Sequence, residues 1–249
     1  MTIRNPDTWG RAYLYYGGEP MDAVCDKTFT GEASSDQFSS AVFLSDIDAD
    51  GLSDVLICAR FAADYRGRVY IYWGANDFRG SSPDLTLEGE QRSHMGGDEI
   101  VCGYFNNDEY GDILVGGFGY PDPHYPENRM GRAYIFNGNA RASMDQLTDH
   151  VFEGESGHSG RFGIAVSSGD LNNDNYDDVV VGAWGYNNRQ GRAYLYYGPF
   201  ESSTDITFTW NTSNASPGKH ILKASIAPVA GEEDEADNVS TATVYVKTP

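Results

Sequence analysis

The sequence predicts an all-β fold: a β-propeller-type array of about three and a half four-stranded blades, then a small C-terminal β-sandwich-like segment. Three observations predict it. A strand-like octapeptide recurs four times, and aspartate-rich loops recur just ahead of apolar strands. No long amphipathic helical stretch with start and stop signals occurs.

The octapeptide is Gly-Arg-Ala-Tyr-Leu-Tyr-Tyr-Gly at 10–17 and again at 191–198, with variants at 67–74 and 131–138. Its arginines, Arg11, Arg68, Arg132 and Arg192, stand 57, 64 and 60 residues apart. Aromatic and aliphatic residues alternate between the bounding glycines, which is the pattern of a strand with two different faces. A second phrase follows the first three copies: Phe-Thr-Gly-Glu at 29–32, Leu-Glu-Gly-Glu at 87–90 and Phe-Glu-Gly-Glu at 152–155. A third phrase opens each next unit, at Phe38, Met95 and Phe162. The fourth is an aspartate loop running into an apolar strand that ends in small residues, as at 54–59 and 178–183. Four strand signals in about 60 residues suit propeller blades better than an open β-solenoid. The reading gives a partial blade at 1–37 and complete units at 38–90, 95–155 and 162–210. The stretch 205–210 echoes 26–30 and is read as the last strand of the third unit.

Composition agrees. Of 249 residues, 17 are Tyr and 29 are Gly, a balance that suits short strands and tight turns. The formal charge of −20, from 37 acidic against 17 basic residues, argues against nucleic acid and anionic membrane as partners. No run approaches 18 apolar residues, so no membrane insertion is expected. The first residues carry no apolar signal core, so either a signal was removed or the chain is a piece of something longer. Three cysteines cannot complete an intrachain disulfide framework, and Cys58 and Cys102, in apolar runs, read as small buried hydrophobes.

The chemistry lies in the aspartate loops. Loop one places Asp46, Asp48, Asp50 and Asp54 at positions one, three, five and nine of a nine-residue segment. Loop three places Asp170, Asn172, Asp174 and Asp178 there. Calcium takes six to eight hard oxygen ligands, and alternate positions of a curled loop can aim several at one centre. Position seven, Leu52 or Tyr176, offers its backbone carbonyl, and Gly51 permits the bend. An EF-hand would need Glu at position twelve, where loop one has Ile57, so these are β-hairpin loops. Ordinary turns also collect Asp and Asn. The recurrence of the pattern in register with the strand repeat favours calcium. Loop two keeps Asn106, Asp108, the Tyr110 carbonyl and Asp112, but Tyr104 stands at position one and cannot replace a carboxylate. The expectation is two strong Ca2+ sites and a third, degenerate one. Asp177, beside Asp178, is read as surface. The four repeated arginines read as structural partners of neighbouring acidic loops.

The combination of Phe162-Gly163, the loop at 170–178, Gly182-Ala183-Trp184 and Gly191-Arg192-Ala193-Tyr194 resembles the FG-GAP repeat of integrin α-subunit β-propellers. It is similar also to the propeller of glycosylphosphatidylinositol-specific phospholipase D and to many secreted microbial proteins. The resemblance covers roughly residues 5–210. It implies calcium in the loop between a blade's first two strands, with ligands falling on the positions just named. The middle repeat departs at Tyr104 and at Met95-Gly96, where the Phe-Gly pair would stand. The resemblance also implies partner binding on the opposite face, by the loops at 60–66, 118–130 and 184–190. Tyr120, His124, Tyr125, Trp184 and Tyr186 are the candidate contacts, since rigid aromatics suit a contact surface.

Residues 211–249 leave the repeat pattern. A polar linker comes first, then strands at 219–226 and 239–247 around an acidic turn. They resemble the second half of a bacterial cell-adhesion-related immunoglobulin-like domain. Asn211, Asn214 and Asn238 fall in N-glycosylation sequons. The function expected is a non-enzymatic, calcium-binding adhesion or binding module, extracellular or at the cell surface, with a protein or glycan partner. The alternative is a homo-oligomeric structural subunit of a surface polymer, completed by strand or blade exchange at open edges. A phospholipase-like hydrolase ranks last: no Gly-x-Ser-x-Gly elbow or His-Glu-x-x-His zinc pattern occurs.

Overall fold

The computed structural model describes residues 10–18, 23–75, 80, 82–97, 99–121, 129–155, 160–200, 218–225 and 239–246. It divides into two units, Met1–Ser203 and Thr204–Pro249. The first holds two antiparallel four-stranded sheets flanked by smaller ones. Strands β1 (Arg11–Leu14) and β2 (Lys27–Thr30) form a two-stranded sheet. Next comes β3 (Phe38–Ser45), β4 (Asp54–Ala59), β5 (Arg68–Tyr72) and β6 (Leu85–Glu88), adjacent in that order. The same order repeats in β7 (Ile100–Gly103), β8 (Asp112–Gly117), β9 (Arg132–Phe136) and β10 (His150–Glu153). A three-stranded sheet follows, β11 (Phe162–Gly169), β12 (Asp178–Ala183) and β13 (Arg192–Tyr196). The expected last strand at 205–210 lies outside the described residues. The fold is thus nearly all β, in sheets that match propeller blades.

The core lies between successive sheets, and strand alternation builds it. All six residues of β4 are buried. Leu56 and Cys58 join a cluster with Ile113, Val115, Tyr134 and Phe136 of the next sheet. Val55, Ile57 and Ala59 point the other way, into a cluster with Phe29 of β2. Strand β8 divides likewise: Leu114 packs with Val179 and Val181 of β12, away from Ile113 and Val115. A strand read as apolar on both faces is therefore one sandwiched between two sheets. Met95 is fully buried in the place that Phe38 and Phe162 hold, so a flexible apolar side chain fills the departing repeat.

Between the second and third strands the chain makes single turns, α1 (Ala62–Tyr65) and α2 (Tyr186–Arg189). Three successive residues in each are left-handed, with φ of 54°, 57° and 66° at Ala63, Asp64 and Tyr65. Asn187, Asn188 and Arg189 match them at 46°, 57° and 71°. In the second unit, β14 (Gly218–Ser225) pairs antiparallel with β15 (Val239–Val246), Gly218 opposite Val246 and Ser225 opposite Val239. The acidic turn and the three sequon asparagines lie outside the described residues.

Candidate metal-binding loops

The aspartate loops join the first two strands of each sheet, β3–β4, β7–β8 and β11–β12, so all three sit at the same end. In loop one Asp46 gathers the turn: its carboxylate accepts from the Asp50 and Gly51 N–H groups at 3.1 and 2.8 Å. Asp50 accepts from the Leu52 N–H at 2.8 Å. The curl needs two left-handed residues, Ala49 at φ 57° and Gly51 at φ 87°. These bonds bring one carboxylate oxygen each from Asp46, Asp48 and Asp50 within 4.8 Å of one another. Loop three repeats the scheme. Asp170 accepts from the N–H groups of Asn173, Asp174 and Asn175 at 2.6, 3.3 and 3.1 Å. Asp174 accepts from the Tyr176 N–H at 2.9 Å. Asn173 and Asn175 take the left-handed places, at φ 64° and 74°, which Asn tolerates well.

Loop two lacks the gathering carboxylate, and its backbone differs accordingly. Neither Asn107 nor Glu109, at the corresponding positions, has positive φ. Asn106 and Asp108 still accept from the Asp108 and Tyr110 N–H groups, at 3.0 and 2.9 Å. Tyr104 is held instead by the neighbouring loop. Its N–H donates to Asp177 Oδ2 and its carbonyl accepts from the Asp177 N–H, both at 2.9 Å. Asp177 is therefore not the plain surface residue the sequence suggested; it ties loop three to loop two.

The closing aspartates behave alike in all three loops. Asp54 accepts from the Ile47 N–H at 2.9 Å and the Gly74 N–H at 2.6 Å. Asp112 accepts from Phe105 and Gly138 at 2.8 and 2.9 Å, and Asp178 from Leu171 and Gly198 at 2.9 and 3.1 Å. Each is almost wholly buried. Burial pushes the Asp54 carboxyl up to about 6 and the Asp112 carboxyl up to about 7. With both oxygens on backbone N–H groups, these residues clamp the loop to the glycine that ends the octapeptide. They keep spare lone pairs for a metal. The glycine is needed for space: a Cβ on Gly138 would lie 2.6 Å from the Ile47 carbonyl oxygen, and one on Gly74 2.8 Å from that of Ser53. The final glycine in every octapeptide copy was the sequence signal for this contact, and sequence reasoning passed over it.

Loop one also receives a cation from outside. Arg141, between β9 and β10, puts Nε on Asp48 and Nη2 on Asp50. Nothing in the repeat pattern pointed to it.

At the opposite end, each repeated arginine of the three later sheets pairs with glutamate. Arg68 meets Glu88 of its own sheet at 2.9 Å and Glu32 of the preceding one at 3.1 Å. Arg132 meets Glu153 at 2.8 Å and also Glu90, while Arg192 meets Glu155. Of the candidate partner contacts, Tyr120 lies 3.6 Å from the Arg132 guanidinium and Tyr186 lies 3.8 Å from that of Arg192, ring centroid to carbon. One face of each ring is thus occupied within the chain. Trp184 is 40% exposed, with Arg161 and Arg189 near its ring at 4.8 and 5.6 Å. His124 and Tyr125 lie outside the described residues. No helix among the described residues is long and apolar enough to cross a membrane.

Comparison with known proteins fits this geometry. Residues 162–196 match the FG-GAP repeat and residues 46–115 an FG-GAP-like repeat. Integrin alpha-5 of Xenopus laevis is 32% identical over 63% of this chain and 16% of its own length. Integrin alpha-8 of Gallus gallus is 29% identical over 70% of this chain and 17% of its own. For integrin alpha-PS2 of Drosophila melanogaster the figures are 29%, 76% and 13%. The chain therefore spans less than a fifth of the length of these relatives.

Proposed function

We propose that this chain, built of FG-GAP repeats similar to those of integrin α chains, is a non-enzymatic extracellular binding or adhesion module whose blades are made rigid by calcium. One observation carries the reading: the convergence of Asp46, Asp48 and Asp50 at the end of a strand pair, in a scheme that loop three repeats. Hard carboxylate oxygens in an adaptable turn are the donor set calcium takes. In loop one the holders are Asp46, Asp48 and Asp50, with the Leu52 carbonyl and spare lone pairs of Asp54. In loop three they are Asp170, Asn172 and Asp174, with the Tyr176 carbonyl and Asp178. Loop two, with Asn106, Asp108, the Tyr110 carbonyl and Asp112, is a degenerate site. A bound divalent ion supplies positive charge that offsets the mutual repulsion of the carboxylates.

The partner surface is the opposite end, centred on exposed Trp184, and the partner is a protein or glycan outside the cell. The blades occupy 1–210, and 211–249 is a separate immunoglobulin-like β segment.

Melting the full chain in calcium and in chelator tests the metal. Calcium is expected to raise the midpoint, with Asp174→Ala removing part of the rise. Identical midpoints in both solutions overturn the reading.

A further inference from the structure

We propose that Arg141 is the resident cation of loop one, so that calcium enters that loop by displacing a guanidinium, whereas it enters loop three by simple binding. The proposal rests on the calcium reading above. Arg141 Nε and Nη2 each engage a different aspartate, Asp48 and Asp50, two of the three residues whose oxygens converge there. Nη2 also donates to the Gly74 carbonyl at 3.2 Å, and the guanidinium carbon lies 5.6 Å from the Trp73 ring. The Asp48 side chain is 1% exposed, so this carboxylate has been taken from water and its charge is answered by Arg141.

Arg141 is aimed, not loosely draped. The Ser143 and Met144 N–H groups both donate to the Ala140 carbonyl, at 2.7 and 3.0 Å, closing a turn around it. Met144 is buried in the core cluster between the two four-stranded sheets and anchors that turn. Asp46 stays with the loop's own backbone N–H groups and holds the curl whichever cation is present. A guanidinium and a divalent ion compete for the same few oxygens, since two positive charges within a few ångströms repel one another. Without metal, Arg141 straps the second complete sheet to loop one. With metal, the strap is released. Toward loop two, a described contact from the following sheet is the Phe200 N–H, which donates to the Phe105 carbonyl at 2.6 Å.

Terbium, a luminescent stand-in for calcium, reads the exchange. The full chain is compared with Asp174→Ala, which disables loop three, and with Asp174→Ala carrying Arg141→Ala or Arg141→Lys. Excitation selective for tryptophan reports loop one through Trp73. Removing Arg141 is expected to tighten terbium binding at loop one about tenfold, the scale of one partly exposed bidentate pair. Lys, a charge without the fork, should fall between. The chelated Arg141→Ala protein should melt lower than its parent. Unchanged or weaker terbium affinity without Arg141 overturns the exchange. So does terbium bound by the unaltered chain but by none of the Asp174→Ala proteins, which leaves calcium at loop three alone. If no form binds terbium, the calcium reading falls and the exchange falls with it.

Discussion

The two ends of the sheets solve one problem in different ways. At both, loop backbone must be held where no ladder partner exists. At the aspartate end, carboxylates collect N–H groups: Asp46 and Asp170 curl the loop, and Asp54, Asp112 and Asp178 clamp it to the next turn. This leaves negative charge concentrated and partly buried. At the other end the charges are already matched, Arg68, Arg132 and Arg192 each lying on glutamates and two of them under a tyrosine ring. The difference teaches where dependence on an outside ion resides. On the proposed calcium reading, the aspartate end gains from a cation and the other end does not.

The comparison breaks first at the closing aspartates. Asp112→Ala leaves the Phe105 and Gly138 N–H groups buried without acceptors. It should lower unfolding free energy by about 3 kcal/mol, whether or not calcium is present, because two buried donors lose their acceptor at once. Equal loss in calcium and chelator, read by denaturant titration, marks Asp112 as architecture. The calcium increment comes next. A site at one hundred times its dissociation constant stabilises by about 2.7 kcal/mol. Asp170→Ala should remove an increment of that order, and Asn106→Ala in loop two very little. If both variants lose equally, loop two is no weaker than its neighbour.

The opposite end carries a pH-sensitive group of its own. His94 is 7% exposed, ringed by Phe61, Tyr65 and Phe118 at centroid distances of 5.2 to 5.7 Å. Burial, then the charges of Arg129, Arg60 and Arg92, lowers its pKa to about 4. The unfolded chain takes up this proton below about 6.5, and the folded chain does so only near 4. Stability is therefore full above that window and falls as the pH drops through it, by about 3 kcal/mol. His94→Phe should flatten this slope in chelator and in calcium alike.

How much of this was legible follows from sequence separation. The strand order, the core faces of β4 and β8, and the pairing of the repeated arginines with acidic neighbours all lie in a pattern that recurs along the chain. So does the departure of loop two, since Tyr104 breaks the pattern visibly. Arg141 does not recur; it meets Asp48 across 93 residues of sequence, and only packing of one sheet against the next brings them together. Asp177 has its partner hidden from the sequence for a related reason. Strand alternation placed it away from its own loop's centre, and the neighbouring loop then claimed it. The left-handed turns at 63–65 carry Ala and Tyr, residue types that give no sign of positive φ.

The smallest effect belongs to the arginine bridges, and it tests the comparison most finely. The Arg132 side chain is 17% exposed, while Glu90 and Glu153 are nearly half exposed. Water screens such a bridge, so Arg132→Met should cost only about 1 kcal/mol, part of it from the lost stacking on Tyr120. Glu90→Gln should cost less, because Glu153 still answers the guanidinium. Salt should shrink both losses, and calcium should leave them unchanged, since the bridge and the aspartate loops lie at opposite ends of the same strands. A calcium-dependent change in the cost of Arg132→Met, measured at fixed ionic strength, would mean that the two ends communicate through the sheet. The division of labour between a cation-dependent end and a self-sufficient one would then have to be given up.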